Sequence, residues 1–215
     1  PILYFWLTYR FPSVMITHDN EIDKGVFPMT PSRSGFKLTT LDLVYISLFS
    51  VLIAICAWIA IPSTVPFTLQ TFGVMCTLGL LGGKRGTLAV IVYLLLGAVG
   101  IPVFSSFRCG IGMLVGSSGG YLLGFLCSAL LYWLLTSLFG NRFFIRIVSM
   151  VLGLVVLYAF GTVWFVVVYS QTVKAISFQT AVSLCVIPFL IPEAIKTALA
   201  IFMVRVIPTR VKAFR

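Results

Sequence analysis

Long apolar runs alternate with short segments that contain basic residues, glycine or proline along most of the chain after residue 40. The runs show no strict alternation of polar and apolar positions, which favours α-helices over the strands of a membrane barrel. Charge, glycine and proline bound six such runs, at about 41–61, 67–82, 86–101, 116–139, 146–170 and 188–207. The pattern therefore predicts an all-α, polytopic membrane protein with six transmembrane helices.

Two prolines refine the last of these helices. Pro188 and Pro192 disfavour a continuous helix through 178–207, because proline lacks an amide donor and its ring clashes with the preceding turn. We expect a short helix or loop at 176–187 and then a helix that starts near Pro192, where proline is tolerated. Glu193 would then lie in the first turn, at the positive end of the helix dipole.

The composition supports the same class of protein. Hydrophobic residues make up 60% of the chain and charged residues 9%, with a mean hydropathy of +1.12, whereas a soluble domain contains about 25% charged residues. A water-soluble domain is therefore excluded, and the expected surroundings are a lipid bilayer. The net charge of +10 would suit nucleic acid. The basic residues lie in small groups between apolar runs, however, so we predict no nucleic-acid partner.

The positions of these basic residues predict the orientation. If the region before the first helix is cytoplasmic, ten lysines and arginines from residue 33 onward lie inside: Arg33, Lys37, Lys84, Arg85, Arg142, Arg146, Arg205, Arg210, Lys212 and Arg215. Only Arg108 and Lys174 lie outside, and Lys196 lies within a helix. Loops that remain in the cytoplasm carry an excess of basic residues, so both termini are predicted to be cytoplasmic.

Residues 1–40 differ from the rest of the chain and hold three of its five acidic residues. The aromatic opening at 1–17 is too short to span a bilayer and lacks the features of a signal peptide. We expect an N-terminal extension that is poorly ordered or foreign to the natural chain, which would then begin at Met29. The sequence thus divides into this extension, a membrane domain at 41–207 and a basic cytoplasmic tail at 208–215.

Motifs for catalysis and for metal binding are missing from the sequence. The five cysteines form no CxxC pair, and the single histidine, His18, precedes the membrane domain. The glycine-containing run at 78–85 lacks the leading glycine and the trailing Ser or Thr of a nucleotide-binding P-loop. Neither HExxH nor GxSxG occurs. We therefore predict neither an enzyme nor a protein with a metal or cofactor of its own.

One acidic residue lies within the apolar part of the chain. After Asp42 the only carboxylate is that of Glu193, and Lys196 follows it in apolar sequence. Each ionisable group near the centre of a bilayer costs roughly 2.5–3.5 kcal/mol. The two side chains share one face of a helix. They could form an internal ion pair that packs the helices together, or they could hold a polar ligand that offsets the cost.

Other polar residues are expected at the same, outer end of the helices. Thr68 and Gln70 lie just inside the membrane edge, where unpaired polar groups are disfavoured. Arg108 follows the third predicted helix. With Glu193 and Lys196 they would gather polar groups at one mouth of an apolar bundle. This combination is typical of a small-molecule binding site.

Small residues allow two interpretations in each of two places. Gly119 and Gly120 open the fourth helix, where they favour either close helix packing or the approach of a ligand to the helix N-terminus. Ser50 and Ala54 lie four residues apart on the first helix. They indicate packing within the chain or a docking face for another membrane subunit.

Several runs resemble the BioY family, the biotin-binding S components of energy-coupling factor transporters. The runs are PFTLQT at 66–71, GTLAV at 86–90, YLLLGAVGIPVF at 93–104 and GGYLLGF at 119–125. The resemblance extends from about residue 41 to 207. It implies a six-helix protein of the bacterial cytoplasmic membrane that captures biotin at its outer face. It also implies a complex with a transmembrane coupling subunit and two cytoplasmic ATPases, which hydrolyse ATP.

The resemblance also implies roles for particular residues. In the family, an Asp-x-x-Lys motif in the last helix helps to hold biotin; Lys196 matches it, and Glu193 stands where Asp is usual. The implied ligand-binding set also includes Thr68, Gln70, Phe104, Arg108, Gly119, Gly120 and Tyr121. Ser50 and Ala54 match the small-residue face that contacts the coupling subunit, with serine in place of the more usual alanine.

The chemistry of biotin suits these residues. Its ureido ring has two N–H donors, which an ionised Glu193 could accept in strong hydrogen bonds. Lys196 or Arg108 could meet the valerate carboxylate or the ureido oxygen. One alternative is an S component for another vitamin, suggested by Glu193 in place of aspartate. A second is a membrane scaffold without ligand, in which Glu193 and Lys196 contact only each other and no cavity lies at the outer mouth.

Overall fold

The structure, a computed structural model, describes residues 38–61, 67–172 and 177–210. The expected N-terminal extension at 1–40 lies almost wholly outside the described residues, and so does most of the basic tail at 208–215. Both therefore remain predictions.

The described part of the chain is almost entirely helical. Its α-helices are α1 (Thr40–Trp58), α2 (Gln70–Val99), α3 (Ile111–Val115), α4 (Gly119–Phe139), α5 (Phe143–Thr172), α6 (Phe178–Cys185) and α7 (Leu190–Arg210). Short 3₁₀ helices occupy Ser105–Phe107 and Ile187–Phe189. Two short strands, β1 (Ala60–Ile61) and β2 (Phe67–Thr68), pair antiparallel.

Five helical stretches of the described part are long and apolar enough to cross a bilayer. They are Thr40–Trp58, Gln70–Val99, Gly119–Phe139, Phe143–Gln171 and Phe178–Ile207. Large apolar side chains such as Leu48, Phe144 and Phe202 are exposed on their surfaces, which suits contact with lipid rather than water. The chain is therefore a polytopic, all-α membrane protein, as the sequence predicted.

Helix α2 reverses direction near its middle. Gly82 has φ 79° and ψ 173°, a combination that glycine alone adopts without strain. The side-chain amide of Gln70 donates to the Tyr93 hydroxyl at 3.0 Å. In a straight helix the 23-residue separation of these two positions would place them about 35 Å apart. Gly86 packs against Leu78. Residues 70–81 and 83–99 are thus two antiparallel limbs of a helical hairpin.

An ion pair ties the turn of this hairpin to the start of α1. Thr39 and Asp42 form a capping box. The Asp42 backbone amide donates to the Thr39 hydroxyl at 3.3 Å, and the Thr39 backbone amide donates to the Asp42 carboxylate at 3.0 Å. The other carboxylate oxygen of Asp42 lies 2.7 Å from Arg85 Nε.

A second basic residue lies at the same end of the bundle. Arg205 of α7 lies over the ring of Phe143 at the start of α5. We call this the basic end of the bundle; the β1–β2 pair lies at the opposite end.

The start of α7 follows the prediction made from its prolines. Helix α6 ends at Cys185, the Ile187–Phe189 turn contains Pro188, and α7 begins at Leu190 with Glu193 in its first turn. The short helix expected at 176–187 and the break before the final helix are both confirmed. Because the break sits beside β2, the first turn of α7 faces the polar end of the bundle.

Ser50 and Ala54, for which the sequence allowed either packing within the chain or docking, pack within the chain in this structure. Both residues are buried within the chain, and the Ser50 hydroxyl donates to the Ala89 carbonyl of α2 at 2.9 Å. Small side chains here let α1 and α2 approach each other closely. The exposed side of α1 instead presents larger apolar residues, including Leu48 and Val51.

Candidate ligand-binding site

A cavity of about 620 Å³ opens at the end of the bundle opposite the basic end. Strand β2 and the first turns of α2, α4 and α7 surround it, and the middle of α5 closes the far side. Its lining residues are Phe67, Thr68, Gln70, Thr71, Ser105, Met113, Ser118, Tyr121, Leu122, Phe125, Leu157, Tyr158, Cys185, Phe189 and Glu193. That volume includes open solvent at the mouth, and the lining combines a few polar side chains with mostly apolar ones, as small-molecule sites do.

Lys196 lies behind this cavity with its donors already engaged. The lysine is 5% exposed, and its Nζ donates to the Thr68 carbonyl at 2.9 Å and to Glu193 Oε1. The same ammonium lies 4.3 Å from the centroid of the Phe67 ring, a cation–π contact. Lys196 thereby joins the first turn of α7 to strand β2 and places a positive charge beside Glu193.

Glu193 has one satisfied and one unsatisfied carboxylate oxygen. Its Oε1 accepts from Lys196 and from the Thr71 hydroxyl at 3.3 Å. Its Oε2 is buried and has no hydrogen-bond partner within 3.5 Å among the described residues, although the Tyr158 hydroxyl interacts electrostatically with this carboxylate. A buried carboxylate oxygen without a donor is costly. Because Glu193 lines the cavity, a ligand with N–H or O–H groups could supply that donor.

The rest of the cavity is divided into a polar rim and apolar walls. On the rim, Thr68 Oγ1 accepts from the Gln70 amide at 3.2 Å, and the Tyr121 and Thr162 hydroxyls lie 3.2 Å apart. Leu122, Phe125, Leu157 and Met113 form the apolar walls. Phe189 stacks on Phe67 beside the mouth, with ring centroids 5.6 Å apart. Such a site suits a ligand with one polar head and an apolar body.

The structure brings together five of the residues that the sequence assigned to the site. Glu193, Thr68, Gln70 and Tyr121 line the cavity, and Lys196 contacts three of the lining residues, Thr68, Glu193 and Phe67. The scaffold alternative required that Glu193 and Lys196 contact only each other beside no cavity. The cavity and the additional contacts to Thr68 and Thr71 contradict that alternative.

Four other assigned residues lie outside the cavity lining. Phe104 is fully buried and packs edge-on against Tyr93, and Arg108 is exposed. A side chain at Gly119 would collide with the Leu114 carbonyl, and one at Gly120 with Trp164. Of the two interpretations of these glycines, the geometry therefore supports close packing.

Several lining residues escaped the sequence analysis. Tyr158 of α5 lies in the wall, and Thr71 donates to the key carboxylate. The sequence carries only a weak signal for Tyr158: its hydroxyl lies four positions before that of Thr162, on the same face of a largely apolar helix. Among the described residues, no group of three His, Cys, Asp or Glu side chains could hold a metal ion.

Fold and cavity together define the class: a multi-pass helical membrane protein that encloses a site for a small polar-headed molecule. The sequence model of the BioY family matches residues 29–213. The chain belongs to the BioY family.

Known relatives agree with this assignment. The biotin transporter BioY of Thermotoga maritima is 41% identical over 160 residues, which cover 74% of this chain and 90% of the relative. The probable biotin transporter BioY of Pyrococcus horikoshii is 33% identical over 163 residues, with 75% and 93% covered. A crystal structure of the S-component for biotin from an ECF-type ABC transporter matches with a TM-score of 0.69 and 27% identity, covering 80% of this chain and 95% of the other.

Proposed function

We propose that this chain is the biotin-binding S component of an energy-coupling factor transporter and serves biotin uptake. The family match, the names of the relatives and the likeness to a biotin S-component support this proposal. One observation on the chain itself carries it furthest. Glu193 Oε2 is buried at the wall of an apolar cavity and lacks a donor among the described residues.

The ureido ring of biotin fits this oxygen. Its N–H groups donate to Glu193, and a hydrogen bond to an ionised acceptor is about twice as strong as a neutral one. Lys196 holds the carboxylate in position, since it already bonds both Glu193 and Thr68. The sulfur-containing ring and the valerate chain then lie against Leu122, Phe125 and Leu157.

The valerate carboxylate then points toward the mouth of the cavity. Arg108 is the cation we assign to it, because the Arg108 amide bonds the carbonyl of Ser105, a lining residue, at 3.3 Å. Because the Arg108 guanidinium is already exposed, the side chain can turn toward a ligand without moving its charge out of a buried site.

The reversal at Gly82 supports a topology of six spans. Each limb of α2 crosses part or all of the bilayer, so that five long helical stretches yield six passes with both termini on one side. Arg85, Arg142 and Arg205 belong to the basic end, which we place in the cytoplasm of a bacterial cell membrane. The site then opens outward, as uptake requires.

The partners of this proposal are a transmembrane coupling subunit and two cytoplasmic ATPases. No P-loop occurs in the sequence, so the energy for reorientation comes from those subunits. Since Ser50 and Ala54 are buried, the docking face of α1 consists of exposed residues such as Leu48, Val51 and Ile55.

The direct test is binding of radiolabelled biotin to the purified chain. We expect saturable binding that excess unlabelled biotin displaces. Thiamine, riboflavin and lipoate serve as competitors, because displacement by one of them, and not by biotin, would assign the cavity to another vitamin. Absence of saturable biotin binding by a folded, monodisperse chain would contradict the proposal.

A further inference from the structure

One wall of the cavity comes from a long connection with little regular structure. Residues 100–118, between α2 and α4, contribute Ser105, Met113 and Ser118 to the lining. Ser106 and Phe107 both have positive φ, at 57° and 59°, a conformation that strains a residue with a side chain. Other contacts must therefore hold this segment in place.

A tryptophan holds the first part of the segment. The Trp58 indole N–H, at the end of α1, donates to the Pro102 carbonyl at 2.9 Å. The same indole stacks on the Phe107 ring, with centroids 5.0 Å apart. Trp58 thus contacts the chain at Pro102 and at Phe107, on both sides of Ser105. These contacts compensate for the strained backbone at Phe107.

A second tryptophan holds the end of the segment. The Trp164 indole N–H, from α5, donates to the Gly116 carbonyl at 3.0 Å, two residues before Ser118. A side chain at Gly120 would lie 2.2 Å from Trp164 Cβ. Glycine at this position therefore lets α4 and α5 approach closely enough for the indole to reach its acceptor.

We propose that Trp58 and Trp164 are positioning residues for the ligand, which brace the 100–118 segment so that Ser105 and Ser118 stay against bound biotin. The inference rests on the proposed function. Both tryptophans lie outside the cavity lining and act through the main chain. Weakening either brace lets the wall open and so speeds ligand release, while the encounter with biotin is unaffected.

The test measures association and dissociation rates of biotin on the purified chain. Trp58→Phe and Trp164→Phe each remove one N–H donor and keep an aromatic ring. Since a lost hydrogen bond is worth about 1 kcal/mol, the dissociation rate should rise about fivefold for each variant, with the association rate unchanged. Trp58→Leu, which also removes the stack on Phe107, should release biotin faster than Trp58→Phe.

Trp133→Phe is the matched control. Trp133 is as exposed as Trp58, at 38%, but it lies at the basic end against Gly83. The control should release biotin at the unaltered rate, and all variants should stay monodisperse. If the unaltered chain binds biotin but both phenylalanine variants release it at the unaltered rate, the bracing role is wrong. If the unaltered chain does not bind biotin, the proposed function itself fails.

Discussion

The two acidic residues of the described membrane domain stand in opposite situations. Asp42, at the basic end, has both oxygens satisfied, by Arg85 at 2.7 Å and the Thr39 amide at 3.0 Å. Glu193, at the other end, shares one oxygen between Lys196 and Thr71 and leaves the second without a donor among the described residues. Glu193 lines the cavity described above, and Asp42 does not. Completeness of the hydrogen bonding, and not the presence of an ion pair, therefore distinguishes Asp42 from Glu193, the acid that we propose binds biotin.

The largest effect should come from breaking the buried pair. Lys196→Met leaves the buried Glu193 carboxyl without its ion-pair partner, so it should destabilise the protein by about 3–5 kcal/mol. The double variant Glu193→Gln with Lys196→Met should recover most of that stability. Unfolding in detergent micelles measures both.

Arg85→Met is the matched change at the basic end. The Arg85 side chain is 49% exposed, so water replaces its contact, and the loss should be about 1 kcal/mol or less. Equal losses for Arg85→Met and Lys196→Met would remove the distinction between the two pairs.

The second prediction concerns binding. Glu193→Gln keeps the shape of the side chain but replaces a charged acceptor by a neutral one. We expect biotin affinity to fall about 100-fold, equivalent to about 3 kcal/mol over the ureido hydrogen bonds. Equilibrium binding of labelled biotin is the measurement. Asp42→Asn, the same change at the satisfied acid, should leave the affinity unaltered; unchanged affinity in Glu193→Gln would make Glu193 a packing residue.

The third prediction tests the hairpin turn that brings Arg85 to Asp42. Gly82→Ala has space for its methyl group, since no atom lies within 4 Å, but its φ of 79° strains any other residue. The stability should fall by about 1–3 kcal/mol, measured by unfolding. Gly112→Ala has equal space and no positive φ. It should be neutral or slightly stabilising, and an identical loss there would show that the turn is not strained.

The smallest effect should come from Tyr158, across the cavity in α5. Tyr158→Phe removes one hydroxyl from the polar end and keeps the ring. We expect biotin affinity to fall about fivefold, equivalent to about 1 kcal/mol. Tyr45→Phe, at a half-buried position of α1 outside the cavity lining, is the control for a hydroxyl outside the cavity. No difference between the two variants would remove Tyr158 from the site.

The sequence predicted best those parts of the molecule whose structure depends on the chemistry of a few neighbouring residues. Pro188 fixed the break before α7, and the spacing of Glu193 and Lys196 placed both on one face. The sequence did not predict which side of each helix faces the interior of the bundle. Helix α1 is apolar on every side, so nothing in its pattern distinguishes a buried Ser50 from an exposed Val51.

The same limit explains the residues that were missed or misplaced at the site. Tyr158 lies in an apolar helix whose cavity-facing side carries no distinguishing charge. Gly120 could equally admit a ligand or a neighbouring helix, and only the position of Trp164 decides between them. Both cases depend on the packing of α4 against α5, which joins residues some 40 positions apart.

The backbone reversal at Gly82 also bears on how the protein is made. The limb at 70–81 is about 18 Å long, well short of the roughly 30 Å of hydrocarbon that a nascent helix must traverse on its own. The amide of Gln70 finds its acceptor only on Tyr93 of the following limb. We therefore expect the two limbs to enter the bilayer as one helical hairpin rather than one after the other.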